Sequence, residues 1–118
     1  MRYRVMNLTR NTPLAEHAER ADTFMRRFKG LMGVKDLPLG HGLLIAPCNS
    51  IHTFFMKIPI DAVFLDASLQ VVDICHAMPA WRVSKVYFGA KSVLELPAGT
   101  AEASQTKTGD RLSFDIAS

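Results

Sequence analysis

Polar side chains interrupt the most apolar stretch of the chain, between residues 49 and 66. This stretch reads N-S-I-H-T-F-F-M-K-I-P-I-D-A-V-F-L-D, and His52, Lys57 and Asp61 lie inside its apolar run. A charge within a core-forming segment costs free energy unless it is paired or reaches water. We therefore expect these three side chains either to be satisfied within the fold or to line the mouth of a pocket.

Two carboxylates and a histidine provide the groups that acid–base hydrolysis requires. Asp61 and Glu95 could form such a pair, with His52 as a general base. In the structural alternative, Asp61 accepts hydrogen bonds from backbone amides at a bend. Glu95 lies between Leu94 and Leu96, so it points outward if those two leucines point inward. The sequence alone does not place the two carboxylates close together.

Three soft or borderline metal ligands, Cys48, His52 and Met56, recur at intervals of four residues. On a helix they would share one face, with neighbours about 6 Å apart, and could bind copper or zinc. On a strand the same interval separates neighbours by roughly 13 Å, which is too far for one ion. Because the local composition favours a strand, we expect no metal site here.

A long stretch with little periodicity, residues 77–91, contains Trp81 and Arg82. An aromatic ring and a planar cation in such a loop could stack on or grip a ligand, or the ring could simply pack over the rim of the core. Together with the polar residues above, they define a candidate cleft near Pro59. Its members are His52, Lys57, Asp61, Trp81, Arg82 and Glu95.

Composition excludes several classes of function. The formal charge of +3 is too small to indicate nucleic-acid binding, and two cysteines do not make a disulfide framework. The chain has no glycine loop for phosphate and no nucleophile elbow, so we expect no cofactor. It also lacks an apolar run long enough for a transmembrane helix and an apolar leader, which favours the cytoplasm.

The pattern of the chain predicts several short strands and two short helices. A helix should begin at Asp22 as N-cap, and a second at Thr100. A bend at Pro59 should separate two strands, because proline removes a backbone donor. A tight turn at Ala67 and Ser68 should join strands in a hairpin. The predicted strands cover residues 3–8, 14–21, 43–46, 50–58, 60–65, 70–76, 92–96 and 111–116.

Strands that follow one another with little helix between them favour antiparallel pairing. We therefore expect an α+β fold that is mainly β. Its sheet should be antiparallel and strongly bent or partly closed, like a barrel, with helices at its ends. At 118 residues the chain is long enough for one domain with its own core, spanning residues 1–118.

Six separated blocks of the sequence resemble the DUF192 family, a bacterial and archaeal domain of unassigned function. The resemblance extends over residues 12–116 and implies a small, mainly β domain with short helices. It implies no activity, cofactor or catalytic residue, although members often carry an export signal. The blocks are K-G-L-M-G at 29–33, G-L-L at 42–44, F-F-M-K-I-P-I-D-A-V-F-L-D at 54–66, V-V at 71–72, L-E-L-P-A-G at 94–99 and G-D at 109–110.

The hypothesis that these observations favour is a non-enzymatic binding or accessory domain that uses the candidate cleft. Its partner would be a small molecule or a protein. A small hydrolase that uses Asp61, Glu95 and His52 is the alternative. A metal-binding protein that uses Cys48, His52 and Met56 is a weaker one.

Overall fold

The computed structural model describes residues 1–21, 33 and 36–117 of the chain. Seven strands form one sheet in the order β5-β4-β6-β3-β2-β1-β7. The elements are β1 (Arg2–Asn7), β2 (Thr12–Ala21), β3 (His41–Ile45), β4 (Ile60–Leu65), β5 (Val71–Met78), β6 (Ser92–Pro97), the short helix α1 (Thr100–Ala103) and β7 (Leu112–Ala117).

The sheet is mixed, so the prediction of an antiparallel sheet is correct only in part. Strands β2 and β3 run parallel, whereas every other neighbouring pair runs antiparallel. The connection of residues 22–40 is long enough for the crossover that a parallel pair requires. The sheet is also open. Within the described residues, its two edge strands meet at their first residues, through an isolated bridge between Gln70 and Arg111 and the backbone hydrogen bonds beside it.

Local predictions from the sequence had mixed outcomes. The hairpin is confirmed, because Phe64 pairs with Asp73 across β4 and β5. The helix at Thr100 is confirmed, whereas the helix predicted from Asp22 lies outside the described residues. The strand predicted over residues 50–58 is wrong, since only His52 forms an isolated bridge there. Phe55 adopts a left-handed conformation, with φ of 64°, which breaks an extended run.

Both faces of the sheet are covered, which explains why β4 and β6 are buried at every position. A central strand that is covered on both sides reads as a continuous apolar run instead of alternating. On β4, Ile60, Ala62 and Phe64 belong to the first core cluster, together with Leu43, Ile45, Ile51, Met56, Met78 and Val93. Val63 and Leu65 belong to the second cluster on the opposite face, together with Val5, Leu14, Leu44, Val71, Leu94, Leu96 and Leu112.

The carboxylate of Asp61 joins three elements at the second face. One oxygen accepts the amide of Ala77 at 2.8 Å, and the other accepts the amides of Gly99 at 3.1 Å and Ala101 at 2.9 Å. Asp61 is fully buried. Because a buried charge is tolerated when hydrogen bonds replace its hydration, these amides account for a carboxylate inside an apolar strand. The same bonds cap the first turn of α1.

We predict that Asp61→Ala lowers the free energy of unfolding by about 3 kcal/mol or more, because three amides lose their acceptor and one of them, that of Ala101, is buried. Chemical denaturation of the purified variant measures this loss. The exposed Asp115 on β7 provides the control, since Asp115→Ala should change stability by less than about 0.5 kcal/mol. Equal effects of the two substitutions would contradict a central role for Asp61.

Candidate functional site

Two loops, residues 48–58 and 79–91, run side by side and are held together by backbone hydrogen bonds. The amide of Tyr87 donates to the carbonyl of Asn49 at 2.9 Å, and the amide of Ser84 donates to that of Ile51 at 2.9 Å. The bridge between His52 and Val83 continues the same pairing. The first loop lies over the core through Ile51 and Met56, which belong to the first cluster. The loop pair is therefore anchored to the sheet.

Thr53 connects the tips of the two loops. Its side chain is fully buried, and its hydroxyl donates to the carbonyl of Pro79 at 2.7 Å and accepts the amide of Arg82 at 2.8 Å. Its amide donates to the carbonyl of Arg82 at 2.8 Å, and its carbonyl accepts the amide of Trp81 at 3.0 Å. These contacts fix the backbone on both sides of the tip. They position Phe54 beside Trp81.

The loop tips present a cluster of rings, which we call the aromatic surface: His52, Phe54, Phe55 and Trp81. The ring centroid of Trp81 lies 4.8 Å from that of Phe55 and 5.8 Å from that of Phe54, and His52 lies 5.1 Å from Phe54. Relative exposure is 37% for Phe54, 58% for Phe55 and 55% for Trp81. Large apolar side chains so close together and so exposed are unusual on a monomer surface.

Two members of the aromatic surface have strained backbones. Phe55 and Trp81 adopt positive φ angles, of 64° and 62°. Bulky residues rarely adopt this region, at a cost of about 1–3 kcal/mol each. The surrounding hydrogen bonds maintain it, including a bond from the amide of Gly33 to the carbonyl of Phe55 at 3.0 Å. Strained residues of this kind concentrate at binding and catalytic sites.

The charged side chains of the two loops all have the same sign. Residues 46–60 and 74–94 contain no aspartate or glutamate, but they contain Lys57, Arg82, Lys85 and Lys91. All four cations are exposed. Lys85 lies 5.0 Å from the centre of the Tyr87 ring. The loops that carry the aromatic surface therefore bear positive and no negative side-chain charge.

The structure brings together three of the six residues of the predicted cleft. His52, Trp81 and Arg82 lie at the tips of the paired loops, and Lys57 is exposed just beyond them. The Nδ1 atom of His52 accepts the amide of Phe54 at 3.2 Å. Arg82 donates from Nη1 to the carbonyl of Trp81 at 3.4 Å.

Asp61 and Glu95, the two carboxylates of the predicted cleft, do not form a pair. Asp61 belongs to the second face of the sheet, whereas Glu95 is paired with Ala62 and Leu43 on the first face. The sheet itself thus separates the two side chains. A shared two-carboxylate centre for hydrolysis does not fit this geometry.

Glu95 is buried and only partly satisfied. The outward orientation suggested by its leucine neighbours is wrong, because both faces of β6 are covered and Glu95 is 2% exposed. Its Oε1 atom is buried without a hydrogen-bond partner. Burial raises the pKa of its carboxyl from 4.5 to about 8. The carboxyl is therefore mostly protonated at neutral pH.

The three soft ligands do not converge. Met56 is 4% exposed in the first core cluster, and the thiol of Cys48 donates to the carbonyl of Ser50 at 3.0 Å. Within the part of the chain that the structure describes, no group of three or more His, Cys, Asp or Glu side chains is arranged to hold a metal ion. Cys75 is a free thiol.

The apolar run of residues 49–66 predicts that Phe54 and Phe55 belong to the core, but both are exposed, and it gives no sign of the role of Thr53. A signal was present, because adjacent side chains in an extended segment point in opposite directions and two consecutive phenylalanines cannot both face inward. The role of Thr53 depends on partners 26 to 29 residues away, so no local pattern reveals it.

The fold defines the chain as a small β-rich domain with one seven-stranded mixed sheet. Its architecture matches a crystal structure of a protein of unknown function from Novosphingobium aromaticivorans. The TM-score is 0.82, the sequence identity is 21%, and the match covers 96% of this chain and 84% of the other. At that level of identity the likeness shows the fold alone. No helix among the described residues is long and apolar enough to cross a membrane.

A family model for DUF192, described as an uncharacterized ACR, matches residues 6–114. The chain belongs to this family, as the resemblance in the sequence predicted. A UPF0127 protein of Thermococcus gammatolerans is 36% identical over 118 residues, which covers 95% of this chain and 75% of the relative. A UPF0127 protein of Pyrococcus furiosus is 33% identical over 116 residues, which covers 94% and 97%.

We predict that Glu95 makes the protein less stable as the pH rises from about 4.5 to about 8. Over this range the folded state retains a proton that the unfolded state has released. The free energy of unfolding should therefore fall by up to about 1.4 kcal/mol per pH unit. Glu95→Gln removes the titrating group, so the stability difference between variant and wild type should grow in favour of the variant from pH 5 to pH 9.

Denaturation curves across this pH range measure that difference. The exposed Glu102 on α1 is the matched control, because Glu102→Gln makes the same substitution at a carboxyl that faces water. A constant difference between wild type and Glu95→Gln from pH 5 to pH 9 would contradict a raised pKa at Glu95.

Proposed function

We propose that this protein is a non-enzymatic protein-binding domain, and that its aromatic surface receives an acidic segment of a partner protein that also bears apolar side chains. The observation that carries this proposal is the exposure of Phe54, Phe55 and Trp81 on loops whose backbones are fixed by hydrogen bonds. Aromatic residues and arginine dominate the binding energy of protein interfaces, and Arg82 lies beside these rings.

The size of the aromatic surface favours a transient complex. A large aromatic side chain buries about 200 Å², so three that are roughly half exposed still offer on the order of 300 Å². At ~25 cal/mol per Å² this corresponds to about 7 kcal/mol of gross stabilisation. Association itself costs about 4–15 kcal/mol. The rings alone therefore support weak binding, and additional polar contacts are required for tighter binding.

The rigidity of the loop tips makes binding less costly. The hydrogen bonds of Thr53 keep Phe54 and Trp81 in place, so the partner need not order these loops. A preorganised surface loses less conformational entropy on association. The strain at Phe55 and Trp81 supports the same interpretation, because the fold tolerates it to keep both rings at the surface.

The positive charge of the two loops favours a partner with negative charge. Lys57, Arg82, Lys85 and Lys91 face solvent with no acidic residue in the same loops. Complementary charge accelerates encounter and disfavours partners of the same sign. An acidic peptide segment satisfies this requirement, and its apolar side chains would cover the rings.

A selection from a random peptide display library tests the proposal. We expect enriched peptides to combine Asp or Glu with aromatic or aliphatic residues. Trp81→Ala and Arg82→Gln should each weaken their binding by about tenfold or more, since both remove central contacts. Ile116→Ala removes an exposed apolar side chain from β7, which lies outside the aromatic surface, and should leave the Kd unchanged. Higher ionic strength should weaken binding, because the pairs are solvent-exposed.

Two further ligands test the choice of a protein partner. Single-stranded oligonucleotides and vesicles of anionic lipid also offer negative charge to an aromatic surface. Stronger binding of either ligand than of any enriched peptide would refute the assignment, provided that Trp81→Ala abolishes it. Peptides that bind Trp81→Ala as well as wild type would show that the aromatic surface is not the site.

A further inference from the structure

We propose that His17 and His41 form a binding site for a divalent transition-metal ion such as Zn²⁺, Ni²⁺ or Cu²⁺. The two residues are direct neighbours in the parallel pairing of β2 and β3. Their ring centroids are 5.0 Å apart, and the ring planes are inclined by 40°. Two imidazoles at this separation can turn their nitrogens toward one ion between them with small side-chain rotations. The site is independent of the aromatic surface.

The backbone holds the two histidines in a fixed relation. The carbonyl of Gly40, immediately before His41, accepts the amides of Glu16 and His17 at 2.9 Å each. The paired strands therefore set the separation of the two Cα atoms, and only the side chains need to move. A site on paired strands loses little conformational entropy when it binds an ion.

A cavity lies beside the two histidines. His17 is partly buried and His41 is exposed, and both line a cavity of about 270 Å³. Arg2 on β1 and Glu19 on β2 line the same cavity. Glu19 lies two residues after His17 and thus on the same face of β2. Its carboxylate favours a cation in the cavity, whereas the guanidinium of Arg2 opposes one.

The ligand set determines which ions are expected. Within the described residues, no three His, Cys, Asp or Glu side chains together form a metal cage, so water would complete the coordination of a two-histidine site. Imidazole nitrogens suit zinc, nickel and copper, and affinity should follow the order Ni²⁺ < Cu²⁺ > Zn²⁺. Hard ions such as Mg²⁺ and Ca²⁺ prefer oxygen ligands and should not compete. Because only neutral imidazole binds a metal, acidification should release the ion.

Calorimetric titration of the untagged protein with Zn²⁺, Ni²⁺ and Cu²⁺ tests the assignment. We expect one ion per chain, and affinity reduced by about tenfold or more in His17→Ala and in His41→Ala. The other two of the four histidines serve as controls. His76→Ala alters an exposed histidine on β5, and His52→Ala alters the aromatic surface. Neither substitution should change metal affinity.

Nuclear magnetic resonance of the imidazole rings provides a second measurement that does not depend on how the variants fold. Added Zn²⁺ should shift the ring signals of His17 and His41 and leave those of His52 and His76 in place. Unchanged affinity in the double variant His17→Ala, His41→Ala would overturn the proposal. Shifts centred on His52, or an absence of binding by wild-type protein at millimolar Zn²⁺, would overturn it as well.

Discussion

The hydrogen bonds of Thr53 are the constraint on which the candidate site depends. One buried threonine binds the backbone of residues 79, 81 and 82 through its hydroxyl, amide and carbonyl groups. The rings of Phe54 and Trp81 lie on either side of this point. Without the hydrogen bonds of Thr53, the tips of the two loops would not hold the three aromatic side chains together at the surface. Exposed rings gain little free energy from mutual contact alone. The sheet anchors the loops through Ile51 and Met56, and the hydrogen bonds of Thr53 fix the positions of the rings.

Two carboxylates in neighbouring central strands have different surroundings. Asp61 is fully buried, and its oxygens accept three backbone amides. Glu95 lies on the other face among apolar neighbours, and burial raises its pKa to about 8. Asp61 links the start of β4 to the start of α1. Glu95 makes the stability of the protein depend on pH. Its side chain is buried inside the core, so it does not contribute to the aromatic surface.

Most strands could be predicted from the sequence because their apolar pattern and turn residues are local signals, as at Ala67 and Ser68. The parallel pairing of β2 and β3 could not, since it depends on where a long connection returns the chain. The candidate cleft near Pro59 stays a prediction. The structure brings His52, Trp81 and Arg82 to the tips of the paired loops and separates Asp61 from Glu95. Phe54 and Phe55 were assigned to the core because an apolar pair gives no indication that tertiary contacts will hold the backbone at positive φ. Glu95 was expected at the surface because the burial of both faces of β6 is a property of the whole sheet.

In the function proposed above, the aromatic surface contacts an acidic segment of a partner protein. Trp81 is the only tryptophan in the chain, so its fluorescence reports directly on that surface. The decisive measurement is the emission maximum of Trp81 and its quenching by iodide as a selected acidic peptide is added. We expect a saturable blue shift with protection from iodide, because the peptide removes the indole from water. Peptide binding that leaves both the emission maximum and the quenching of Trp81 unchanged would contradict the proposed function.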